Sequence, residues 1–265
     1  QDVIVGIGTS GTATEGTDYT DGSGVINDIT ISAGATTGTV SFTPTDDSVY
    51  EGNETAIISI DAVSGADASE NGDQSVTITI TENESAPTVT LAVSATSIAE
   101  NAGTSLTLTA TLSGATDAAI TVALDTSGTA TEGTDYTDGS GVINDITISA
   151  GATTGTVSFT PTDDSIYEGN ETAIISIASV SGGGASESGT QSVTVTITEN
   201  ESAPTVTLTV SATSIAENAG SSLTLTATLS GAADEDVTVT IGTAGTSTEG
   251  TDYTDGSGVI NDITI

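Results

Sequence analysis

The sequence predicts an all-β protein made of tandem β-sandwich domains. Three observations lead to this prediction: a 117-residue internal repeat, short runs in which apolar residues alternate with Thr and Ser, and the lack of any sustained helical period. Alternation with period two places every second side chain on one face of a strand, where β-branched residues pack well. The hydrophobic fraction of 35% is low, but its Val, Ile and Leu suit thin β-layers better than disorder.

The repeat is visible in two sequence markers. GTATEGTDYT stands at Gly11–Thr20 and again at Gly128–Thr137, and GTSTEGTDYT follows at Gly245–Thr254, with 117 positions between successive copies. TENESAPTVTL begins at Thr81 and again at Thr198 with the same spacing. Solenoid repeats have about 20–50 residues, whereas an independent β-sandwich has about 100. The period therefore predicts one sandwich per repeat.

A boundary at each Ser-Ala-Pro junction divides the chain into three segments. Residues 1–85, the first segment, are expected to be a partial domain that lacks its first two strands. Residues 86–202, the central segment, are expected to be one complete domain, and residues 203–265, the last segment, the N-terminal half of another. The sequence is thus interpreted as a window on a longer array, with short links that leave little room for free swinging.

Seven strands are predicted in the central segment. Each is an apolar or alternating run bounded by Gly, Asn, Asp and Ser clusters that favour turns. Their bounds are 88–93, 105–112, 119–124, 143–148, 155–160, 172–177 and 192–198. Short strands of this number and spacing predict an antiparallel Greek-key sandwich that is Ig-like, with about seven strands per domain.

The charge balance excludes several classes of function. The chain has 37 Asp plus Glu, no Lys, Arg or His, and a formal net charge of −37. It would repel a phosphate backbone and an anionic membrane, so we expect no nucleic acid as a partner and no membrane insertion. Without His, Cys or Lys there is no imidazole base, thiol nucleophile, Schiff base or ordinary zinc site, and we expect no enzyme activity. The expected partner of this surface is a hard cation.

Acidic residues are concentrated at a few places, the densest being DDSIYEGNE at residues 163–171. This stretch has four carboxylates within nine residues at the end of a predicted strand. Calcium takes six to eight oxygens from carboxylates and carbonyls and accepts irregular geometry. Two like charges about 4 Å apart repel by roughly 4 kcal/mol at an effective dielectric constant of 20. The cluster therefore predicts a bound ion, the alternative being an acidic loop that is spread out in solvent and confers only solubility.

The order of these motifs resembles the Calx-beta domain. ENxG is followed by GTDY, then by the spacing DDxxxExxE, and finally by VTITENE. That family includes the calcium-sensing domains of sodium–calcium exchangers, a cytoplasmic segment of integrin β4 and very large bacterial surface proteins. The resemblance covers all three segments. It implies a seven-stranded sandwich that binds Ca²⁺ at one end, near the next domain.

The resemblance also implies a set of calcium ligands, which are acidic side chains and one main-chain carbonyl per domain. In the central segment they are Glu100, Asp135, Asp163, Asp164, Ile166 (through its carbonyl), Glu168, Glu171, Glu199 and Glu201. In the first segment they are Asp18, Asp46, Asp47, Val49 (through its carbonyl), Glu51, Glu54, Glu82 and Glu84, and in the last segment Glu217 and Asp252. The exchanger domains end in three aspartates, whereas residues 199–201 read Glu-Asn-Glu. We therefore expect fewer ions or weaker binding, with Kd about 10⁻⁴–10⁻³ M.

The function implied by the resemblance is structural. We expect the shaft of a bacterial extracellular fibre, adhesin or surface layer, with calcium at the domain ends joining neighbouring repeats or identical chains. The alternative is a calcium-sensing module whose ion occupancy switches its affinity for a partner. The near-identity of the units argues against a sensor, since residues 11–60 and 128–177 differ at one position. Another chain could also complete a partial sandwich by strand addition, although a cut through a longer array explains the same pattern more simply.

Overall fold

The computed structural model describes residues 1–265 and contains strands but no helix. It accordingly has no helical segment that could cross a membrane. The prediction of an all-β fold is confirmed.

Twenty-four strands follow one another along the chain. In the first segment they are β1 (Val3–Gly11), β2 (Tyr19–Thr20), β3 (Ile29–Ile31), β4 (Thr43–Pro44), β5 (Val49–Tyr50), β6 (Glu54–Ser64) and β7 (Ser75–Ile80). In the central segment they are β8 (Thr88–Val93), β9 (Ser97–Ala99), β10 (Leu106–Leu112), β11 (Ala115–Thr116), β12 (Ile120–Gly128), β13 (Tyr136–Thr137), β14 (Ile146–Ile148), β15 (Thr154–Pro161), β16 (Ile166–Tyr167), β17 (Glu171–Ser181), β18 (Ser186–Glu187) and β19 (Ser192–Thr198). In the last segment they are β20 (Val206–Val210), β21 (Leu225–Leu229), β22 (Ala232–Ala233), β23 (Thr238–Val239) and β24 (Ile263–Thr264).

The central segment is a sandwich of two five-stranded sheets. One sheet has the order β13-β15-β10-β8-β18 and the other β14-β12-β17-β19-β9. The chain changes sheet between β10 and β12, between β14 and β15, and between β15 and β17, which is the crossover pattern of a Greek key. All seven predicted strands are present, although β12 and β17 run on beyond their predicted ends and β14 is shorter than predicted.

The alternating residues pack between the two sheets as the pattern predicts. Leu108, Ala110 and Leu112 of β10 are buried side chains of one sheet. Ala173 and Ile175 of β17 are buried side chains of the other. They belong to one core of 19 buried residues, all between positions 89 and 197. Apolar burial stabilises such a layer by about 25 cal/mol per Å² of surface removed from water.

The flanking segments repeat parts of this sandwich. The first segment has one four-stranded sheet, β3-β1-β6-β7, and a cluster of four buried residues. In the last segment β20 pairs with β21 and β23 with β24. Leu208 on β20 is 53% exposed, whereas its equivalent in the central segment, Leu91, is 7% exposed. The segment boundaries at residues 85 and 202 stay a prediction.

Five short strands of the central segment are additional to those predicted, and they place the acidic residues. They are β9, β11, β13, β16 and β18. Parallel pairing of β9 with β19 brings the end of β9 to the end of β19. Parallel pairing of β5 with β11 and of β16 with β22 joins one segment to the next. Runs of two or three residues are too short for hydrophobic periodicity to reveal.

Candidate metal centre

Predicted ligands converge in three groups, in each of which carboxylate oxygens lie within 4.8 Å of one another. The groups are named here the Glu54 group, the Glu100 group and the Glu171 group. Their members are Asp18, Glu51 and Glu54; Glu100, Glu199 and Glu201; and Asp135, Glu168 and Glu171, respectively. The chain has no Lys, Arg or His side chain to balance them.

The Glu171 group lies at the ends of three strands. Asp135 precedes β13, Glu168 follows β16, and Glu171 begins β17. Asp135 is held by a turn, in which its Oδ2 accepts a hydrogen bond from the Thr131 N–H at 2.6 Å. Burial, followed by the negative charge of Asp135, raises the pKa of Glu171 to about 7. The same two causes raise the pKa of Glu168.

The Glu100 group is built by the pairing of β9 with β19. Glu100 follows β9 and is 6% exposed, and its Oε1 accepts a hydrogen bond from the Asp164 N–H at 3.2 Å. Burial raises the pKa of Glu100 to about 7, and the charges of Glu199 and Glu201 act in the same direction. A carboxyl with a pKa near 7 gives up its proton easily to a competing cation near neutral pH.

Glu199 connects the Glu100 group to the Glu171 group. Its Oε2 accepts hydrogen bonds from the N–H groups of Glu168 at 2.6 Å and Gly169 at 2.8 Å. Its Oε1 accepts hydrogen bonds from the N–H groups of Asn200 and Glu201, both at 2.8 Å. Burial opposes ionisation, but the backbone hydrogen bonds outweigh it and lower the pKa of Glu199 to about 2. This carboxylate therefore stays charged and fixes the loop that contains Glu168.

One oxygen in the Glu100 group has no protein partner. Glu201 Oε2 is buried and makes no hydrogen bond. Buried polar atoms are nearly always paired, so each exception requires an explanation. A hard cation fits this atom because Glu201 is grouped with the carboxylates of Glu100 and Glu199, the ligand type that calcium takes. The residues present therefore fit a calcium ion.

The first segment reproduces this arrangement around the Glu54 group. Burial, followed by the charge of Asp18, raises the pKa of Glu54 to about 7. Glu82 corresponds to Glu199, since its Oε2 accepts hydrogen bonds from the N–H groups of Glu51 at 2.6 Å and Gly52 at 2.7 Å. A cavity of about 30 Å³ opens beside them, about the room that one water or ion needs. Carboxylates that line it belong to Asp47, Glu51, Glu54, Glu82 and Glu84.

The other predicted ligands lie outside the three groups. Asp164 and Asp47 are exposed and use Oδ1 to accept a hydrogen bond at 2.7 Å from the N–H of Ile166 and Val49, respectively. Glu217 and Asp252 are exposed and join no group. The remaining predicted carboxylate ligands lie in the loops beside the groups; they are Asp46, Asp163, Glu82 and Glu84.

Sequence reasoning missed two acidic residues at the junctions between segments. The Asp234 N–H donates to the Tyr167 carbonyl at 3.1 Å, and the Asp117 N–H donates to the Tyr50 carbonyl at 3.4 Å. After burial and nearer charges, Asp234 adds to the raised pKa of Glu171. The one sequence signal for this pair is that the two aspartates stand 117 positions apart.

The comparisons with known proteins give one family. The model of the Calx-beta domain matches residues 1–84, 82–201 and 199–261. No curated protein sequence matches the chain.

Three of the solved structures that match the chain are the following. CBD12 from CALX1.2 is 16% identical with a TM-score of 0.33, over 75% of this chain and 88% of that one. Invasin, a bacterial integrin-binding protein, is 22% identical with a TM-score of 0.33, over 85% of this chain and 38% of that one. Domains 4–9 of the surface layer protein SbsC are 19% identical with a TM-score of 0.24, over 90% and 32%. At these TM-scores the structures carry no further argument.

Proposed function

The chain belongs to the Calx-beta family, and we propose that it is the calcium-stabilised shaft of an extracellular fibre, adhesin or surface layer. In this proposal each sandwich is a structural unit, and calcium ions at its end hold it against the next. The observation that carries the proposal is the position of the carboxylate groups. The Glu54 and Glu171 groups adjoin the strands that pair one segment with the next.

The physical basis is the repulsion within each group. Carboxylates within 4.8 Å of one another, in a chain with no cationic side chain, oppose the approach of the loops that hold them. A bound calcium ion would supply the missing positive charge and accept the carboxylate oxygens as ligands.

The residues of the chain then have separate tasks. Glu199 and Glu82 use backbone hydrogen bonds to hold the loops in place before an ion arrives. Glu171, Glu54 and Glu100 release the protons that their raised pKa values retain near neutral pH. Binding to the folded state alone then stabilises the array by mass action.

Thermal unfolding of residues 1–265, followed by circular dichroism, tests the calcium-dependent part of this proposal. At a calcium concentration 100 times the Kd, each site should contribute about 2.7 kcal/mol. We expect the unfolding midpoint to rise by roughly 10 °C relative to metal-stripped protein. The double variant Glu168→Gln/Glu171→Gln should lose a large part of that rise.

The double variant Asp67→Asn/Asp73→Asn is the matched control. It also removes two charges, and both aspartates are exposed residues in the turn between β6 and β7. It should keep the full calcium effect. An equal calcium response in both double variants, or no response in the unmodified chain, would contradict the proposed metal-dependent function.

A further inference from the structure

The junction between the central and last segments is formed by main-chain pairing. β16 and β22 run parallel, with Ile166 opposite Ala232 and Tyr167 opposite Ala233. The Asp234 N–H extends this pairing by donating to the Tyr167 carbonyl at 3.1 Å. The next residue of each strand is then Glu168 on one side and Asp234 on the other, so the last segment places an aspartate beside a member of the Glu171 group.

The junction between the first and central segments has the same arrangement. Val49 lies opposite Ala115, and Tyr50 lies opposite Thr116. The Asp117 N–H donates to the Tyr50 carbonyl at 3.4 Å, which places Asp117 beside Glu51 of the Glu54 group.

The sequences that follow the two aspartates differ. Asp117 is followed by two alanines, whereas Asp234 is followed by Glu235 and Asp236. The aspartate at this register position is therefore the acidic feature that the two junctions share. Placing it there brings like charges together across a strand pair, which is unfavourable without a cation.

The carboxylates of the Glu171 and Glu54 groups alone reach at most the lower limit of a calcium shell. Three carboxylates supply at most six oxygens, and in the Glu171 group Asp135 Oδ2 is directed to the Thr131 N–H. Asp18 Oδ2 in the Glu54 group is directed to the Thr14 N–H at 2.6 Å. Calcium takes six to eight oxygen ligands, so each group has room for another carboxylate.

We propose that Asp234 and Asp117 are calcium ligands contributed by the following domain, which complete the Glu171 and Glu54 groups of the preceding one. A single ion is then shared between two domains, and its binding depends on the junction being formed. The inference rests on the proposed calcium-dependent function and adds the residues through which the metal joins one domain to the next.

Calcium titration of residues 1–265 by isothermal calorimetry tests this inference with two adjacent substitutions. Asp234→Asn removes the proposed ligand, and Glu235→Gln removes the same charge one residue further along an exposed loop. Because ligand charge count tunes calcium affinity, we expect Asp234→Asn to weaken one site by about tenfold. Glu235→Gln should leave that site within about twofold, since an exposed charge is largely screened.

The geometry of the junction gives a second readout. The chain has no cysteine, so Ser158→Cys and Ser222→Cys introduce one pair of spin labels at exposed positions on either side of the junction. Calcium should narrow the distribution of distances between the two spin labels in the labelled chain without a further substitution and in the labelled Glu235→Gln chain. It should narrow it much less in Asp234→Asn.

The possible results separate the inference from the function on which it rests. If the unmodified chain takes up no calcium, the proposed function itself is wrong. If it takes up calcium and the two substitutions behave alike in both measurements, the function stands and the shared ligand is rejected. Unfolding in metal-stripped buffer checks folding, because Asp234→Asn removes a repulsion there and should not lower the midpoint.

Discussion

At the scale of single residues, local contacts shift the pKa of different glutamate carboxyls in opposite directions. Glu100 is buried, and Glu54 and Glu171 are partly buried, beside other carboxylates. Loss of solvation is the first cause that raises the pKa of each to about 7. Glu82 and Glu199 accept several backbone hydrogen bonds, which outweigh burial and lower the pKa of each to about 2. Glu54, Glu100 and Glu171 therefore retain protons near neutral pH that a cation can displace, whereas Glu82 and Glu199 stay ionised.

These shifts predict how the stability of the metal-stripped chain depends on pH. A carboxyl whose pKa is raised on folding adds stability below its unfolded value of about 4.5, and that contribution is lost as pH rises through 7. A carboxyl whose pKa is lowered adds stability above 4.5, which is lost as pH falls toward 2. Between pH 5 and pH 8 the carboxyls with a raised pKa are the ones that change protonation, and their stabilising contribution is lost over this range. The metal-stripped chain should therefore have the higher unfolding midpoint at pH 5.

Excess calcium should reverse that order, because ionised carboxylates bind the ion better at pH 8. The measurement is circular dichroism melting in buffer stripped of metal by resin, since soluble chelators weaken at low pH. A metal-stripped midpoint that is equal or higher at pH 8 would show that these carboxyls are not perturbed as described.

At the scale of elements, the aromatic pair of the core supports the loop that contains Asp135. Tyr136 follows Asp135 in the chain, and its ring stacks on Phe159 of β15 with centroids 4.7 Å apart. Phe159 has no exposed surface. Packing inside the sandwich therefore fixes the strand next to a predicted ligand.

Phe159→Ala should destabilise the central segment by about 3–5 kcal/mol, because it removes a buried ring and leaves a cavity. Val142→Ala is the matched surface truncation, since Val142 is 54% exposed, and it should change stability by less than about 0.5 kcal/mol. Urea unfolding of the full chain in calcium measures both. Equal costs would mean that the ring stack contributes little to the domain.

At the scale of the whole molecule, a second contact fixes the first junction. Gly184 lies in the turn after β17, and an added Cβ there would stand 2.7 Å from Cε1 of Tyr50 in the first segment. The backbone of Gly184 also has φ +63°, a left-handed conformation that glycine adopts readily. The equivalent residue of the first segment is Asp67, with φ 55°. A side chain can thus be accepted in this turn where no neighbouring ring is packed on it.

Gly184→Asn should loosen the junction between the first and central segments and leave the sandwich folded. Asparagine tolerates a left-handed backbone, so the steric contact with Tyr50 is the main change. Gly189→Asn is the control, with φ +70° and no atom within 4 Å of the added Cβ. Spin labels at Ser41→Cys and Ser158→Cys should show a broader distance distribution for Gly184→Asn alone. Identical distributions for the two variants would show that the Tyr50 contact does not hold the junction.

Much of the architecture was predictable because it depends on local pattern and on repetition. The alternation of apolar and polar residues in 106–112 and 192–198 predicts which face of each strand is buried, and the 117-residue period predicts the size of the unit. The acidic stretch at 163–171 was recognisable because four carboxylates are close in sequence. Its assignment as calcium ligands stays a prediction until metal binding is measured.

Only the tertiary structure decided which carboxylates meet. Glu100 reaches Glu199 because β9 crosses to the sheet that contains β19, a pairing across about a hundred residues that no local pattern encodes. Asp234 stands at the register position next to Glu168 because β22 pairs with β16 of the preceding segment. The sequence by itself determined the fold class, the repeat and the large negative net charge, since these depend on residue type and spacing. Long-range strand pairing decided the composition of each carboxylate group, because backbone hydrogen bonds between distant residues leave no periodic trace in the chain.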